Sequence, residues 1–163
     1  MKTANQPFGC VNNTIRLRSG HYFDLANPQP DQFEFSDIAG ALSKICRFGG
    51  QIQCYYSVAE HCVHCAEQAA RDGLPLDTQV ALLMHDAAEA FCGDMVKPLK
   101  IMLPGYAEVE AKVEAAIAER FQIDFRREEY SVRKIDQEML IAERRFLFSP
   151  DSVGWFGERE VRK

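Results

Sequence analysis

The chain has 163 residues, of which 47% are hydrophobic and 26% charged, with a formal net charge of -5 at neutral pH. This is the composition of a globular protein rather than a disordered or fibrous one. The acidic balance argues against nucleic-acid binding through a basic surface. No stretch approaches the roughly 18 consecutive apolar residues that cross a bilayer, and the N-terminal sequence MKTANQPFGC has no apolar signal-peptide core, so we expect a cytoplasmic protein without membrane contact.

The predicted elements begin with a short arm and a helix. Residues 14–25 alternate apolar and polar side chains around a Ser-Gly pair, which predicts a short hairpin or extended arm. Apolar residues then recur at helical spacing over residues 36–48 until two glycines stop the pattern. Arg47 and Phe48 are therefore expected in the last turn of this first helix.

Four more helices are predicted along the rest of the chain. The second covers residues 57–72, and the third begins near Pro75 and runs to a C-terminal cap at Gly93. The third is apolar on almost every side, which is typical of a central buried helix. The fourth follows Pro104, and the fifth covers roughly residues 126–148.

These patterns predict an all-α fold, a helical bundle with a short N-terminal hairpin or arm. A chain of this length is long enough for one domain with a core and too short for two. We therefore expect a single domain with an N-terminal arm over residues 1–35, a helical core over residues 36–148 and a C-terminal tail over residues 149–163.

Cysteine usage indicates a reducing compartment. The sequence gives no sign of secretion, and several of the six cysteines fall on apolar helix positions, so thiols packed as small hydrophobic side chains are expected instead of disulfides. Cys62 and Cys65 form a Cys-x-x-Cys motif. A zinc site would need a second ligand pair, and a redox motif usually opens a helix after a strand, so core packing is the interpretation for this pair too.

Polar residues stand where the helical periodicity predicts burial. His85 and Glu89 are four residues apart on the third helix and share a face, while Asp86 is turned about 100° from His85. Asp136 lies on the apolar stripe of the fifth helix, and His61 comes from the second. Two imidazoles and two carboxylates suit one divalent transition-metal ion such as Mn, Fe, Co, Ni or Zn.

Other side chains near these positions could complete a site for phosphate chemistry. Such an ion polarises a phosphoryl oxygen and lowers the pKa of a water. Glu89 and Asp94 are the acids available for proton transfer or for orienting the water. Arg47, Lys97 and Lys100 are the cations available to bind a phosphate.

The ordered set of His61, the His85-Asp86 pair and Asp136 resembles the metal-binding set of the HD-domain phosphohydrolases. An adjacent His-Asp alone is a weak signal, but the set combined with a nearby Glu, a Gly-Asp and an upstream Arg-aromatic pair is specific. Most of the chain from residue 14 to 146 is similar to the small bacterial and phage branch that includes the 5'-deoxynucleotidases. The matching motifs are ICRFGGQ (45–51), YSVAEHCV (56–63), LLMHDAAEAFCGDMVKPLK (82–100) and IDQEMLIAERR (135–145).

The resemblance implies a reaction and a ligand set. The reaction is metal-dependent hydrolysis of a deoxynucleoside 5'-monophosphate to nucleoside and phosphate. The implied metal ligands are His61, His85, Asp86 and Asp136. A small nucleotide is the implied partner, together with a second copy of the chain in a homodimer or higher homo-oligomer, for which the segment VGWFG (153–157) offers one contact surface.

The resemblance also implies roles for the surrounding residues. Asp94 would activate or orient the water, and Glu89 would contact that water or the phosphate. Arg47 matches a phosphate-facing arginine. Phe48 stands where these nucleotidases often carry a tryptophan that crowds the sugar.

Two other functions remain open. A deoxynucleoside triphosphate triphosphohydrolase would use the same metal set, and the sequence does not measure the room for the longer phosphate chain. A non-catalytic module that binds a nucleotide or metal is the alternative outside enzymes. Because all four ligand positions and both acids are present, hydrolysis is the favoured interpretation.

Several of these residues also have a purely structural interpretation. Arg47 could simply complement the helix macrodipole, and Asp94 could cap the turn after Gly93. Glu89 could form a structural salt bridge with a lysine or arginine. Lys97 and Lys100 could each be ordinary solvent-exposed surface residues.

Two further residues lie near the predicted site without an assigned role. His64 lies near the face of His61 and is the rival for its ligand role. Glu143 continues the stripe of Asp136 and could reach a cation near the site or form a structural salt bridge with Arg47 or Arg144.

Overall fold

A computed structural model describes residues 13–148 of the chain. Over these residues the protein is mostly helical, with seven α-helical segments after a two-stranded hairpin, which confirms the predicted all-α character. Among the described helices, none combines the length and the apolar character that crossing a bilayer requires. Cys10, the VGWFG segment and the whole predicted C-terminal tail lie outside the described residues.

The predicted N-terminal arm is an antiparallel hairpin. Strand β1, Thr14–Arg16, pairs with β2, Tyr22–Asp24. Phe23 on β2 is fully buried, and the Ser19 backbone N–H donates to Asp37 Oδ1 at 2.9 Å. The hairpin is therefore held by packing of Phe23 against Phe33 and Phe91 and by this hydrogen bond to the first helix.

The first helix is shorter than the sequence predicts. Helix α1 spans Phe35–Leu42, and Arg47–Gly50 form a separate 3₁₀ turn. The prediction that Arg47 and Phe48 end the first helix is wrong, because the helix ends at Leu42 and the backbone is extended at Cys46; the chain then reverses through positive φ at Phe48 (58°) and Gly49 (60°). The left-handed region is rarely adopted by a residue with a large side chain, so this turn is strained at Phe48.

Helix α2, Val58–Arg71, begins and ends within one residue of the prediction. Ser57 caps it: its side chain accepts from the Glu60 backbone N–H, and the Glu60 carboxylate accepts from the Ser57 N–H. This capping box supplies partners to backbone donors that the first helical turn leaves unpaired. It fixes the start of the helix that carries His61.

The predicted central helix over residues 75–93 is broken. Helix α3 spans Leu76–Met84, and α4 spans Glu89–Cys92. Between them, backbone hydrogen bonds join residues three apart, as in a 3₁₀ helix. His85 and Asp86 therefore lie in a tight turn instead of a helix interior. Gly93, with φ of 82°, ends α4 at the predicted cap.

Of the last three helices, the first two carry a proline in their first turn, and an aspartate caps the third. Helix α5, Lys97–Met102, is not predicted by the sequence. Pro98 lies in its first turn, where the missing N–H of proline costs nothing. Helices α6, Pro104–Phe121, and α7, Phe125–Leu147, agree closely with the predicted fourth and fifth helices.

The core brings α2, α3 and α7 together. Helix α2 packs against α3, and α7 packs against both. Cys62 and Cys65 of α2 are buried among apolar side chains, as the sequence predicts, and their thiols are free. The polar side chains on the facing surfaces of α2 and α7 meet the turn that follows α3, and the candidate site lies there.

Candidate metal centre

The four side chains expected as metal ligands converge on one point. His61 Nε2 lies 3.2 Å from His85 Nε2, 3.2 Å from Asp136 Oδ1 and 3.7 Å from Asp86 Oδ2. His85 Nε2 lies 3.4 Å from Asp86 Oδ2 and 3.9 Å from Asp136 Oδ1. Ligands about 2.1 Å from a shared ion are about 3.0 Å apart at a right angle and about 3.4 Å apart at the tetrahedral angle. The observed spacing is thus close to that of a coordination shell.

Both imidazoles are oriented with Nε2 toward this point. His85 Nδ1 lies 2.7 Å from the Leu82 carbonyl oxygen, and His61 Nδ1 lies 2.6 Å from Glu143 Oε1. A carbonyl and a carboxylate only accept, so each Nδ1 carries a proton and donates it. In a neutral ring the lone pair is then on Nε2, as a metal ligand requires.

The cluster strongly favours positive charge at its centre. Burial lowers the pKa of His61, but its hydrogen bonds to Asp136, Cys65 and Glu143 outweigh this and raise the pKa to about 11. Burial raises the pKa of Asp136, yet the two histidines hold that pKa well below its usual range. Four acceptor atoms that face one another need a cation between them, supplied either by protons or by a metal ion.

The buried thiols of α2 border the same point. Two further groups, His61 with Cys65 and His85, and Cys62 with His85 and Asp86, also bring possible ligand atoms within 4.8 Å of one another. Cys65 Sγ is 3.7 Å from His61 Nε2 and 3.9 Å from Nδ1. Nearly equal distances place the sulfur beside the ring face, whereas a metal ion bound to Nε2 would lie in the ring plane. The geometry therefore favours the carboxylates over the thiols as ligands.

Glu143 lies directly behind His61, and the sequence left its role open. It is 5% exposed, and its Oε2 is 3.3 Å from Arg47 Nη2. Glu143 thus forms an ion pair with Arg47, one of the two arginines proposed as its partner from the sequence, and it also contacts the imidazole of His61. The available sequence signal is its position seven residues after Asp136, on the same face of α7.

Arg47 lies between two acids at the edge of the site. Its Nη1 donates to Asp86 Oδ2 at 3.3 Å, opposite the contact with Glu143. The side chain is buried, and its Nε has no hydrogen-bond partner among the described residues. Burial lowers the pKa of Arg47, but these two carboxylates raise it above its ordinary value. Because no helix ends at Arg47, the macrodipole does not explain its position.

Phe48 lies beside Arg47 and faces the end of α7. The Arg47 Cζ is 5.3 Å from the centre of the Phe48 ring, and the ring packs edge-on against Phe148 at 5.1 Å. The Phe48 backbone N–H also faces the Asp94 carboxylate and lowers its pKa. The left-handed turn therefore brings an aromatic ring, a cation and a backbone donor to one side of the site.

Glu89 and Asp94 both lie close to Asp86 and are partly shielded from water. Glu89 is 7% exposed, and its Oε2 has no hydrogen-bond partner among the described residues. Burial and the charges of Asp86 and Asp94 raise the pKa of Glu89 to about 9, against the opposing effect of Lys100. Burial also raises the pKa of Asp94, while Arg47 and the Phe48 N–H oppose that rise.

The two predicted lysines differ in their surroundings. Lys100 Nζ lies 2.6 Å from Glu110 Oε1 and 3.8 Å from Glu89 Oε1, so it is already paired with acids. Lys97 is exposed at the first residue of α5, and no ion pair involves it within residues 13–148. The structure thus brings Lys100 to the edge of the site and leaves Lys97 at the surface.

His64 points away from the convergence point. Its Nδ1 lies 2.8 Å from the Tyr56 hydroxyl, and the two rings stack with centres 5.8 Å apart. The side chain is exposed, whereas His61 is fully buried. Of the two rival imidazoles, His61 is the one that the structure places in the cluster.

Two known proteins to which this chain is similar are uncharacterized. No protein-family model matches the chain. It is 39% identical over 111 residues to the uncharacterized protein RCAP_rcc00048 of Rhodobacter capsulatus, covering 65% of this chain and 57% of that protein. It is 38% identical over 141 residues to the uncharacterized protein YfdR of Escherichia coli K12, covering 86% of this chain and 76% of that protein. The chain belongs to the family of YfdR.

Proposed function

We propose that the protein is a metal-dependent phosphohydrolase of the HD-domain type that hydrolyses deoxynucleoside 5'-monophosphates to nucleoside and phosphate. One observation carries the proposal. The Nε2 atoms of His61 and His85 lie 3.2 Å apart, the Asp86 and Asp136 carboxylates each lie 3.2 to 3.9 Å from these two nitrogens, and each Nδ1 is fixed as a donor. This arrangement is suited to a divalent cation.

The chemistry of these ligands narrows the choice of ion. Two imidazoles and two carboxylates suit Mn, Fe, Co, Ni or Zn better than Mg, which prefers oxygen ligands. Such an ion, when bound, would supply a Lewis acid for a phosphoryl oxygen and a water that ionises near neutral pH.

Arg47 is the residue that would bind the phosphate. It is positively charged and buried, and its Nε–H lacks a partner among the described residues. Its contact with Asp86 places the guanidinium directly beside the cluster. A planar guanidinium with several donors matches the geometry of phosphate oxygens.

Glu89 and Asp94 would handle the protons of the reaction. Burial raises the pKa of Glu89 in the metal-free protein, so Glu89 is the acid that would donate a proton to the leaving 5' oxygen. Asp94 faces the Phe48 N–H and Arg47, and it would accept a proton from the attacking water. The water oxygen bonds to phosphorus, the bond from phosphorus to the 5' oxygen breaks, and each acid exchanges one proton.

The charges around the site favour one phosphate over three. Lys100 is occupied by Glu110 and Glu89, and Lys97 is exposed on α5. Arg47 is thus the main cation near the cluster, and it also balances two acids. A triphosphate carries more negative charge than these groups would balance, so a monophosphate is the better substrate.

Product identity tests this proposal. Metal-stripped protein should be assayed with Mn, Co or Mg on dNMP, NMP, dNDP and dNTP substrates, measuring phosphate, pyrophosphate and triphosphate separately. We expect inorganic phosphate from dNMP with Mn or Co. Triphosphate release from dNTP would instead indicate the triphosphohydrolase, and metal binding without turnover of any nucleotide would indicate a non-catalytic binding module.

A further inference from the structure

We infer that Glu143 is the positioning residue of the site, which couples the metal-binding orientation of His61 to the phosphate-binding orientation of Arg47. The inference about phosphate rests on the proposed function, whereas the inference about metal binding requires only the cluster of ligands. Glu143 touches neither a reacting atom nor the point where the four ligands converge. It would act through its two neighbours.

Helix α7 holds His61 from both sides. Asp136 and Glu143 are seven residues apart, close to two full turns, so they lie on the same face of the helix about 10 Å apart along its axis. Asp136 Oδ1 lies 3.2 Å from His61 Nε2, and Glu143 Oε1 lies 2.6 Å from His61 Nδ1. One rigid helix therefore contacts both nitrogens of a single imidazole and fixes its rotation and its tautomer.

Glu143 also determines where Arg47 sits. The guanidinium lies between Glu143 Oε2 and Asp86 Oδ2, each 3.3 Å away. Without the Glu143 charge, Arg47 would pair with Asp86 alone. That would compete for a carboxylate needed by the metal ion and would turn the guanidinium away from an incoming phosphate.

The depth of Glu143 supports a positioning role over a simple packing role. A carboxylate that is 5% exposed is costly to bury, and an apolar residue at such a position is often no less stable than an ion pair. The free-energy cost of burying this carboxylate is explained if it must both accept the hydrogen bond from His61 and hold Arg47 by its charge. The Tyr56 hydroxyl also faces Glu143, and burial together with this carboxylate raises the pKa of Tyr56.

The test compares Glu143→Gln with Glu138→Gln, a matched control on the exposed face of the same helix. Cobalt affinity and the visible spectrum of bound cobalt are measured on metal-stripped protein, and KM and kcat for a dNMP are measured at saturating cobalt. The glutamine still offers an oxygen to His61 but places an amide near Arg47. We expect Glu143→Gln to weaken cobalt binding about tenfold or more, as for other residues that orient metal ligands.

Repeating the substitution in an Arg47→Met variant separates the effect of Glu143 through His61 from its effect through Arg47. In Arg47→Met protein, Glu143→Gln should no longer change KM, because the cation through which it acts is gone, but should still weaken cobalt binding and shift the spectrum through His61. Such non-additive behaviour identifies residues that act through one another. Glu143→Asp, which keeps the charge but shortens the reach, should lose cobalt affinity and retain more of the wild-type KM than the glutamine variant does.

The outcomes are distinguishable from those of the proposed function. If Glu143→Gln matches the control in cobalt affinity, spectrum and KM, the inference is wrong; if that variant does not fold, the same comparison is decided with Glu143→Asp. If the wild type binds cobalt but hydrolyses no nucleotide, the proposed function fails while the cobalt measurements still decide the role of Glu143. If the wild type binds no metal ion, both ideas fail.

Discussion

His61 and His85 face each other through their Nε2 atoms at 3.2 Å, although both rings donate from Nδ1 to other partners. Two lone pairs at this distance repel unless a cation lies between them. Asp86 and Asp136 add negative charge at the same point. The fold therefore brings together four ligand side chains whose arrangement is stable only with bound protons or a bound metal ion.

Metal addition should stabilise the fold. An ion that binds the folded chain and not the unfolded chain at a hundred times its Kd contributes about 2.7 kcal/mol to the free energy of unfolding. We expect Mn or Co to raise the Tm of EDTA-treated protein in a concentration-dependent manner. Calorimetry on Asp136→Asn, which removes one predicted ligand, should show little of this increase, and an unchanged increase would exclude Asp136 as a ligand.

Replacement of Glu89 should make the metal-free protein less sensitive to alkaline pH. The pKa of Glu89 is about 9 in the folded chain against an ordinary 4.5. The folded state therefore keeps a proton that the unfolded state loses, and the stability that this gives is lost as pH rises from about 4.5 toward 9. Glu89→Gln cannot ionise, so its advantage over the wild type should grow with pH, reaching on the order of 5 kcal/mol near pH 8.

Urea denaturation at pH 5.5 and pH 8 measures this difference, with Glu138→Gln as the control. Turnover should fall sharply in Glu89→Gln, because the proton donor is lost. A variant that gains stability at high pH while it loses activity would show that Glu89 is retained for function at a cost in stability. Equal stability differences at the two pH values would contradict the buried, proton-holding state of Glu89.

The two lysines of α5 should respond differently to substitution. Lys97→Ala removes an exposed side chain with no ion pair among the described residues, so KM and kcat should stay at the wild-type values. Lys100→Ala removes the cation beside Glu89, whose pKa should then rise further. We expect the pH dependence of kcat to shift for Lys100→Ala alone; a matching shift for Lys97→Ala would mean that Lys97 reaches the site.

Side-chain periodicity marked polar residues at positions where burial is expected, and the resemblance to the HD-domain phosphohydrolases selected His61, His85, Asp86 and Asp136 among them. His61 lies beside an apolar stripe and is fully buried, whereas Asp136 lies on an apolar stripe but keeps 39% of its side chain exposed; the structure brings both to His85. The helix over residues 75–93 is predicted as continuous from its apolar interior and the cap residue Gly93. Periodicity does not report the tightening of hydrogen bonds that turns His85 and Asp86 toward the same point.

Two contacts had no adequate sequence signal. Glu143 and His61 are 82 residues apart in the chain, and nothing local to either residue indicates the pairing. Arg47 was expected at a helix end because glycines after a helical pattern usually mark its cap. Here the glycines follow a strained Phe48 and reverse the chain, a tertiary arrangement that local propensity does not encode.

The most direct test of the account is the metal content and phosphate release of wild type and Asp86→Ala, measured side by side. We expect wild-type protein to hold about one Mn or Co ion per chain, in keeping with a single four-ligand site, and to release inorganic phosphate from a dNMP. Asp86→Ala should fold, bind the ion far more weakly and release no phosphate above background. Wild-type protein that carries no metal ion and releases no phosphate from any nucleotide, even with added Mn or Co, would contradict the account.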